Sequence, residues 1–354
     1  MIAVKFYRIF ETGLEIDLDR LESRLAQDHS IARTRFVRIR PKSIVIGTWP
    51  LTLRLNPFVC PYPDRSLRFD VRARIFDTGS ISLAMMFEDL AADPEELESI
   101  ALFFAGQRHL DDPFDQYLKA VLSILEPHLG SVDTDPDFYE DYTIYRVDTL
   151  HERLDPVTVL MGEKNNFSPS IRDDILRGSL SYSAEDRAVL TWDTALLSGP
   201  DPSTDLMDLI EFANVQLLAL RYYDRKLSRQ MDLMYDDLAS ADRMNRFLRL
   251  RQYRRIMADI MELHADVSDI REKIDNLIKI TEDVYYARVY ETALRVLRSE
   301  QWTVSVNRKI QVIQENYVML SNEVNIQHSN FLEWTIIVLI ALEFGLAIWQ
   351  AIKQ

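Results

Sequence analysis

The chain has 354 residues, 47% of them hydrophobic and 27% charged. That is globular usage, which excludes a wholly disordered chain and leaves room for two domains or one domain with a long appendage. A net charge of −15 sets the body against nucleic acid and anionic lipid unless a local basic patch overrides it, and the lone cysteine, Cys60, excludes an internal disulfide framework and fits a reducing compartment.

The opening MIAVKFYRIF carries Lys5 and Arg8 inside its apolar run. No small-residue cleavage site follows, so it does not read as a secretory signal, and it is too poor in Arg and Ser for a transit peptide. Ile44 and Ile46, then Leu51, Leu53 and Leu55, indicate strands on either side of Pro50. Val71, Ala73 and Ile75 alternate with arginines, Asp77-Thr78-Gly79-Ser80 supplies a turn, and Ile81, Leu83, Met85 and Phe87 alternate again. This pattern predicts a β-hairpin with one buried face.

Two helices follow. Asp93 caps the first, with Pro94 in its opening turn and Leu97, Ile100, Ala101 and Phe104 as its inner stripe before Gly106. Asp112 and Pro113 repeat the device for Tyr117, Leu118, Val121, Leu122 and Leu125, ahead of Pro127. Short β-like runs return at Tyr142 to Val147, near Leu180, and at Ala188 to Trp192. The stretch MGEKNNF, Met161 to Phe167, is polar enough for a binding loop but reads more simply as a helix end and turn.

Gly and Pro recur up to Gly199, Pro200 and Pro202, then vanish until Gly345. A turn-rich domain needs these residues, so a boundary falls near Gly199 to Ser203. Beyond it, with Ser203 as N-cap, apolar residues step by four and three: Leu206, Ile210, Ala213, Leu217, Leu220, then Asp224, then Leu227, Met231, Met234 and Leu238. This is a heptad seam with one polar intrusion. A second seam runs from Ile256 to Val284 and a third through Val306, Ile310, Ile313, Tyr317, Leu320 and Val324. Such helices fold back on each other or pair with other copies.

Phe331 to Ile352 holds two charges, Glu333 and Glu343. As a helix it measures roughly 33 Å, against a hydrocarbon core of about 30 Å, with Trp334 and Trp349 near its ends. Glu343 must be protonated or bonded across helices, and Ala341 and Gly345 allow close helix approach. The competing reading is an apolar helix buried at the centre of an oligomer. The expected architecture is therefore an α+β N-terminal domain over 1–201, long antiparallel, coiled-coil-like helices over 202–330, and a C-terminal transmembrane helix over 331–352.

The runs DLIEFANVQLLALRYYDRKL, ETALRVLRSEQW, NRKIQVIQENYVML and FLEWTIIVLIALEF resemble the "required for meiotic nuclear division" family, whose signature is a Leu-Glu pair opening a C-terminal apolar helix that holds a second acidic residue; here these are Leu332, Glu333 and Glu343. The resemblance implies a membrane-associated protein with an α+β body. It supplies no catalytic residue, and the missing targeting extension implies a bacterial-type member facing the cytoplasm rather than a mitochondrial one.

Motifs for chemistry are missing. His29, His109, His128, His151, His264 and His328 are scattered, and no phosphate-binding glycine loop or nucleophile elbow occurs. No catalytic, cofactor or metal residue is assigned. Arg243, Arg246, Arg249, Arg251, Arg254 and Arg255 offer polyanion contacts, but Asp236, Asp237 and Asp242 beside them favour a solvated, salt-bridged face. Tyr222-Tyr223 between Arg221 and Arg225 looks like a stacking platform and reads more simply as packing. The sequence thus predicts a non-enzymatic, tail-anchored oligomeric scaffold, with a lipid bilayer, further copies through 203–330 and an unidentified protein as partners. An RNA- or ribosome-associated factor and an oligomer with its apolar C-terminal helix buried are the alternatives.

Overall fold

A computed structural model describes residues 1–352 except for 27–30, 34–48, 91–92, 131, 133, 151–152, 182, 184–185, 200–203 and all of 241–283 but positions 258, 261, 265 and 268. An α+β sheet domain is followed by helices. The chain divides into two compact units, Met1–Tyr222 with Ile270–Thr303, and Tyr223–Asp269 with Val304–Gln354.

The first unit is built on a sheet of nine strands among the described residues: β1 (Ile2–Glu11), β2 (Ile31–Arg33), β3 (Leu51–Arg54), β4 (Phe58–Tyr62), β5 (Arg65–Ile75), β6 (Ser80–Asp89), β7 (Tyr139–Val147), β8 (Arg187–Leu190) and β9 (Thr194–Ser198). Their order is β2-β3-β5-β6-β1-β7-β9-β8, with β4 paired to β5. Every pairing is antiparallel except β7 with β9. The opening apolar run is thus the inner strand β1, and all ten of its residues are buried. Helices cover both faces of the sheet, which is why the run is nearly continuous rather than alternating.

One face packs Ile2, Val4, Phe6 and Phe10 against α1 (Leu18–Leu25), α2 (Pro94–Phe103) and α3 (Asp111–Leu129). The other packs Ala3, Tyr7 and Ile9 against α6 (Asp205–Ser240) and α7 (Val284–Val296). Two short helices, α4 (Pro156–Met161) and α5 (Pro169–Leu176), lie between β7 and β8.

The predicted hairpin is β5–β6, with Ile75 opposite Ile81. It has two buried faces, not one, since Arg74, Ser80, Ser82 and Ala84 are also buried. Asp93 caps α2 by accepting from Glu95 N at 3.2 Å, and Leu97, Ile100, Ala101 and Phe104 are fully buried. In α3, by contrast, Leu110 holds the cap position and the helix runs through Pro127, which lies close enough to its end for the lost amide bond to be tolerated. Met161 and Gly162 end α4 as a left-handed turn. Ile44 and Ile46, the Ser203 cap and most of the second seam lie outside the described residues.

Gly13 follows β1 at φ +66°, and a Cβ there would stand 2.2 Å from Tyr222 Oη. Gly13→Ala is expected to lose about 2–4 kcal/mol, from left-handed strain plus overpacking. Gly130→Ala, at φ +82° with nothing within 4 Å, loses only the strain. Urea midpoints compare the two, and equal losses would remove the role given to Tyr222.

In the second unit, the later part of α6 runs beside the early part of α8 (Ser299–Ile352), where Asp224 and Ser228 meet Ser305 and Lys309. Ser305 Oγ donates to Asp224 Oδ1 at 2.9 Å, and Lys309 Nζ donates to Ser228 Oγ at 2.7 Å and bridges to Asp224 at 2.7 Å. Both hydroxyl pairings span 81 residues, which sets the helices parallel. The polar intrusion at Asp224 is therefore a register pin within the seam, flanked by buried Leu227, Val306, Ile310 and Ile313.

Candidate functional site

The densest buried chemistry lies between the sheet and α6. Lys5 on β1 and Arg74 on β5 flank β6, and their inward positions are set by strand alternation. Asp208 and Glu211 sit one turn apart near the start of α6, where the helix dipole favours carboxylates. Lys5 Nζ reaches Asp208 Oδ1 at 3.1 Å and Glu211 Oε2 at 2.5 Å; Arg74 Nη1 reaches the same two oxygens at 2.7 and 2.8 Å. None of the four side chains is more than 10% exposed.

Burial alone would push the Asp208 carboxyl up, but Arg74 and Lys5 outweigh it and hold it at about 2. Glu211 is lowered by the same balance: burial raises it, and Arg74 and Lys5 more than reverse that. Burial opposes the Arg74 charge, yet Glu211 and Asp208 raise its pKa overall. Two cations and two anions cancel, so the network is neutral, although Glu211 Oε1 is buried without a hydrogen-bond partner among the described residues.

The same sheet face carries more polar pins to the helices. Asn214 Nδ2 donates to Tyr7 Oη at 2.9 Å, and Tyr290 of α7 donates to Gln216 Oε1. At the end of β1, Glu11 accepts from Ser80 Oγ at 2.6 Å and from Gly13 N at 3.1 Å, while burial pushes its carboxyl up to about 7. On the opposite face, Arg8 lies 4.8 Å from the ring centroids of both Phe114 and Tyr139. It donates to Gln107 Oε1 at 3.0 Å and Asp111 Oδ1 at 2.7 Å. Gln107, at φ +55°, in turn donates to the carbonyls of Tyr7 and Tyr142.

These groups are suited to fastening helices onto a sheet. Among the described residues, no three His, Cys, Asp or Glu side chains cluster in a way that could hold a metal ion.

A different kind of feature lies on α8. Ile336, Ile337, Val338, Leu339, Ile340 and Leu342 are each 51–60% exposed, and Glu343 is exposed beside them. Isolated apolar side chains on a surface are ordinary, but six within seven residues form an adhesive segment.

A family model described as "Uncharacterized protein MJ0711, N-terminal domain" matches residues 1–204, more than half of the chain. The chain belongs to this family. The uncharacterized protein MJ0711 of Methanocaldococcus jannaschii is 25% identical over 225 residues, which cover 60% of this chain and 66% of that protein. The match therefore spans just under two thirds of the relative's length. The family region contains all nine described strands. It supplies Lys5 and Arg74, whereas Asp208 and Glu211 come from the helix beyond it.

Membership of this family replaces the resemblance to the "required for meiotic nuclear division" family. That resemblance rested on stretches after residue 203, where three-and-four spacing recurs in long helices of any origin. The tail anchor is corrected as well: among the described residues no helix is long and apolar enough to cross a membrane. Nine residues, Trp334 to Leu342, separate Glu333 from Glu343, about 14 Å of helix against a core of about 30 Å. Leu332, Glu333, Trp334, Ala341, Gly345 and Trp349 lie on α8, but their side chains are outside the described set. Arg243, Arg246, Arg249, Arg251, Arg254 and Arg255 are outside the described residues too.

Neither Tyr222 nor Arg221 forms a stacking platform: Tyr222 stands over Gly13, and Arg221 lies over the rings of Phe138 and Trp302 beside Glu140. The buried network itself was missed. Its one sequence signal is charge at inward strand positions, with Lys5 inside an apolar run and Arg74 between Ala73 and Ile75.

Proposed function

We propose that the chain acts by binding and assembly rather than by catalysis. Copies join through the apolar segment of α8 and so gather several sheet-bearing units for a protein partner. The observation that carries this reading is the run Ile336 to Leu342, apolar and more than half exposed at six positions. An isolated copy would leave that surface in water, and a helix apolar on every side belongs in an interior.

Sedimentation velocity of the full chain tests it. The wild-type chain is expected to self-associate at micromolar concentration, and Val338→Asp to shift it to monomer with unchanged helicity. A wild-type monomer, or a Val338→Asp variant of unchanged size, would sink the reading.

A further inference from the structure

We infer that the face of the sheet turned toward α6 carries, beyond the cover of that helix, a docking surface for an acidic protein segment. This deepens the reading above and rests on its protein partner. The strand register places the surface. Lys5, which reaches Asp208 of α6, lies opposite Met86, and Met86 lies opposite Asp70. Alternation then puts Arg68, Arg72 and Arg74 of β5 on the same face. Arg54 of β3 stands directly opposite Arg72, and Val59 of β4 directly opposite Arg68. Arg74 is buried against α6, but Arg54, Arg68 and Asp70 are exposed, Arg72 is half-buried, and Val59 is 55% exposed.

Charge selects the occupant. Between Leu51 and Ile75 stand five arginines and two carboxylates, Asp64 and Asp70, in a chain whose net charge is −15. Other arginines of the sheet are matched: Arg8 by Asp111, Arg33 by Asp19 and Glu22, Arg65 by Asp89 and Glu96, Arg74 by Asp208 and Glu211. Among the described residues the side chains of Arg54, Arg68 and Arg72 have no ion pair and no hydrogen bond. Like charges directly opposite across strands repel, so Arg54 and Arg72 weaken the ladder between them. A carboxylate seated between the two turns that repulsion into two attractions, and the guanidinium fork binds it through paired N–H groups. Arg68 lies four residues along β5 from Arg72, about 13 Å, the span between carboxylates four residues apart on an extended chain. Val59 adds apolar contact beside Arg68, and apolar groups among arginines suit a protein interface. Nucleic acid fits less well. The rings of β4 and β5, Phe58, Tyr62 and Phe69, turn to the opposite face and offer bases nothing to stack on. Asp70 sits between Arg68 and Arg72, and the charge of the whole chain repels a long phosphate backbone.

The probe is a short dye-labelled peptide alternating glutamate with alanine, titrated with the full chain and followed by fluorescence anisotropy. The wild-type chain is expected to bind it, more weakly as salt rises. Arg68→Gln and Arg72→Gln should each raise Kd about threefold or more, and the two together about tenfold. Arg65→Gln, on the opposite face, should leave Kd unchanged. Urea midpoints guard against unfolding: Arg54→Gln and Arg72→Gln should keep or raise the wild-type midpoint, since each relieves the opposed charges. No binding of the peptide, or binding that ignores Arg68→Gln and Arg72→Gln, overturns the inference. Tighter binding of duplex RNA or of phosphatidylserine vesicles than of the peptide overturns it as well. So does a midpoint that falls in step with lost binding, because the arginines then hold the sheet. Sedimentation velocity keeps the two readings apart. A self-associating chain that does not bind the peptide fails this inference alone, and a monomeric wild type that binds it fails self-association alone.

Discussion

Glu211→Ala is expected to lower the unfolding free energy of the first unit by about 3–5 kcal/mol, the cost of stripping one partner from a buried ion pair. The substitution leaves Lys5 and Arg74, both buried, facing Asp208 alone. The apolar volume lost is small, so charge rather than cavity dominates. A double variant separates the two. Lys5→Met with Glu211→Leu removes one cation and one anion and keeps apolar bulk, so its loss should fall well below the sum of the single changes. Urea unfolding with unchanged m-values measures all three, and a loss under about 1 kcal/mol for Glu211→Ala would show that the network is not a fastening. The acid limb gives an independent check. Asp208 is held at about 2 against a usual 3.8, so its stabilisation is present above about pH 4 and is lost as pH falls through about 2.

Glu11→Gln should act in the opposite direction and stabilise the protein in alkaline buffer. Burial raises the Glu11 carboxyl from 4.5 to about 7, because the bonds from Ser80 and Gly13 favour the anion too weakly to compensate. The folded state therefore holds this proton more tightly than the unfolded chain does. Stability from this group is full below about pH 4.5, declines as pH rises to about 7, and stays low above it. A rise of that size corresponds to about 3 kcal/mol. The neutral Gln variant keeps the shape without the charge. It should match wild type near pH 4 and exceed it by up to about 3 kcal/mol at pH 8. A difference that does not vary with pH would show that the Glu11 carboxyl titrates alike in the folded and unfolded chain.

Tyr290→Phe offers a gentler comparison on the same sheet face. Its hydroxyl donates to Gln216, and removing it leaves a buried amide oxygen short of a donor, for an expected loss of about 1–3 kcal/mol. Thermal unfolding would detect this, and no change would mean that α7 is held by its apolar side chains alone.

The elements that could be read from sequence are those whose cause is local. Asp93-Pro94 starts α2 because a cap and a fixed φ act within one turn. The β5–β6 hairpin follows from two alternating runs and the four-residue turn between them. Asp224 stood out because it breaks a seam that neighbouring turns define, and it proved to be the register pin of two parallel helices.

The candidate site was not legible in the same way. Lys5 was visible inside an apolar run, but its partner Glu211 lies 206 residues away. No local rule connects a strand charge to a helix charge at that distance. Nor could the run itself be seen as an inner strand until β6 and β7 paired with it.

The same limit governs the tail. Sequence determined that Ile336 to Leu342 would be a helical, apolar stretch, since composition and spacing are local properties. The tertiary structure decided that these side chains are exposed and that a 54-residue helix carries them. Periodicity states which residues share a face; what meets that face depends on groups brought together from far apart in the chain, and only folding places them.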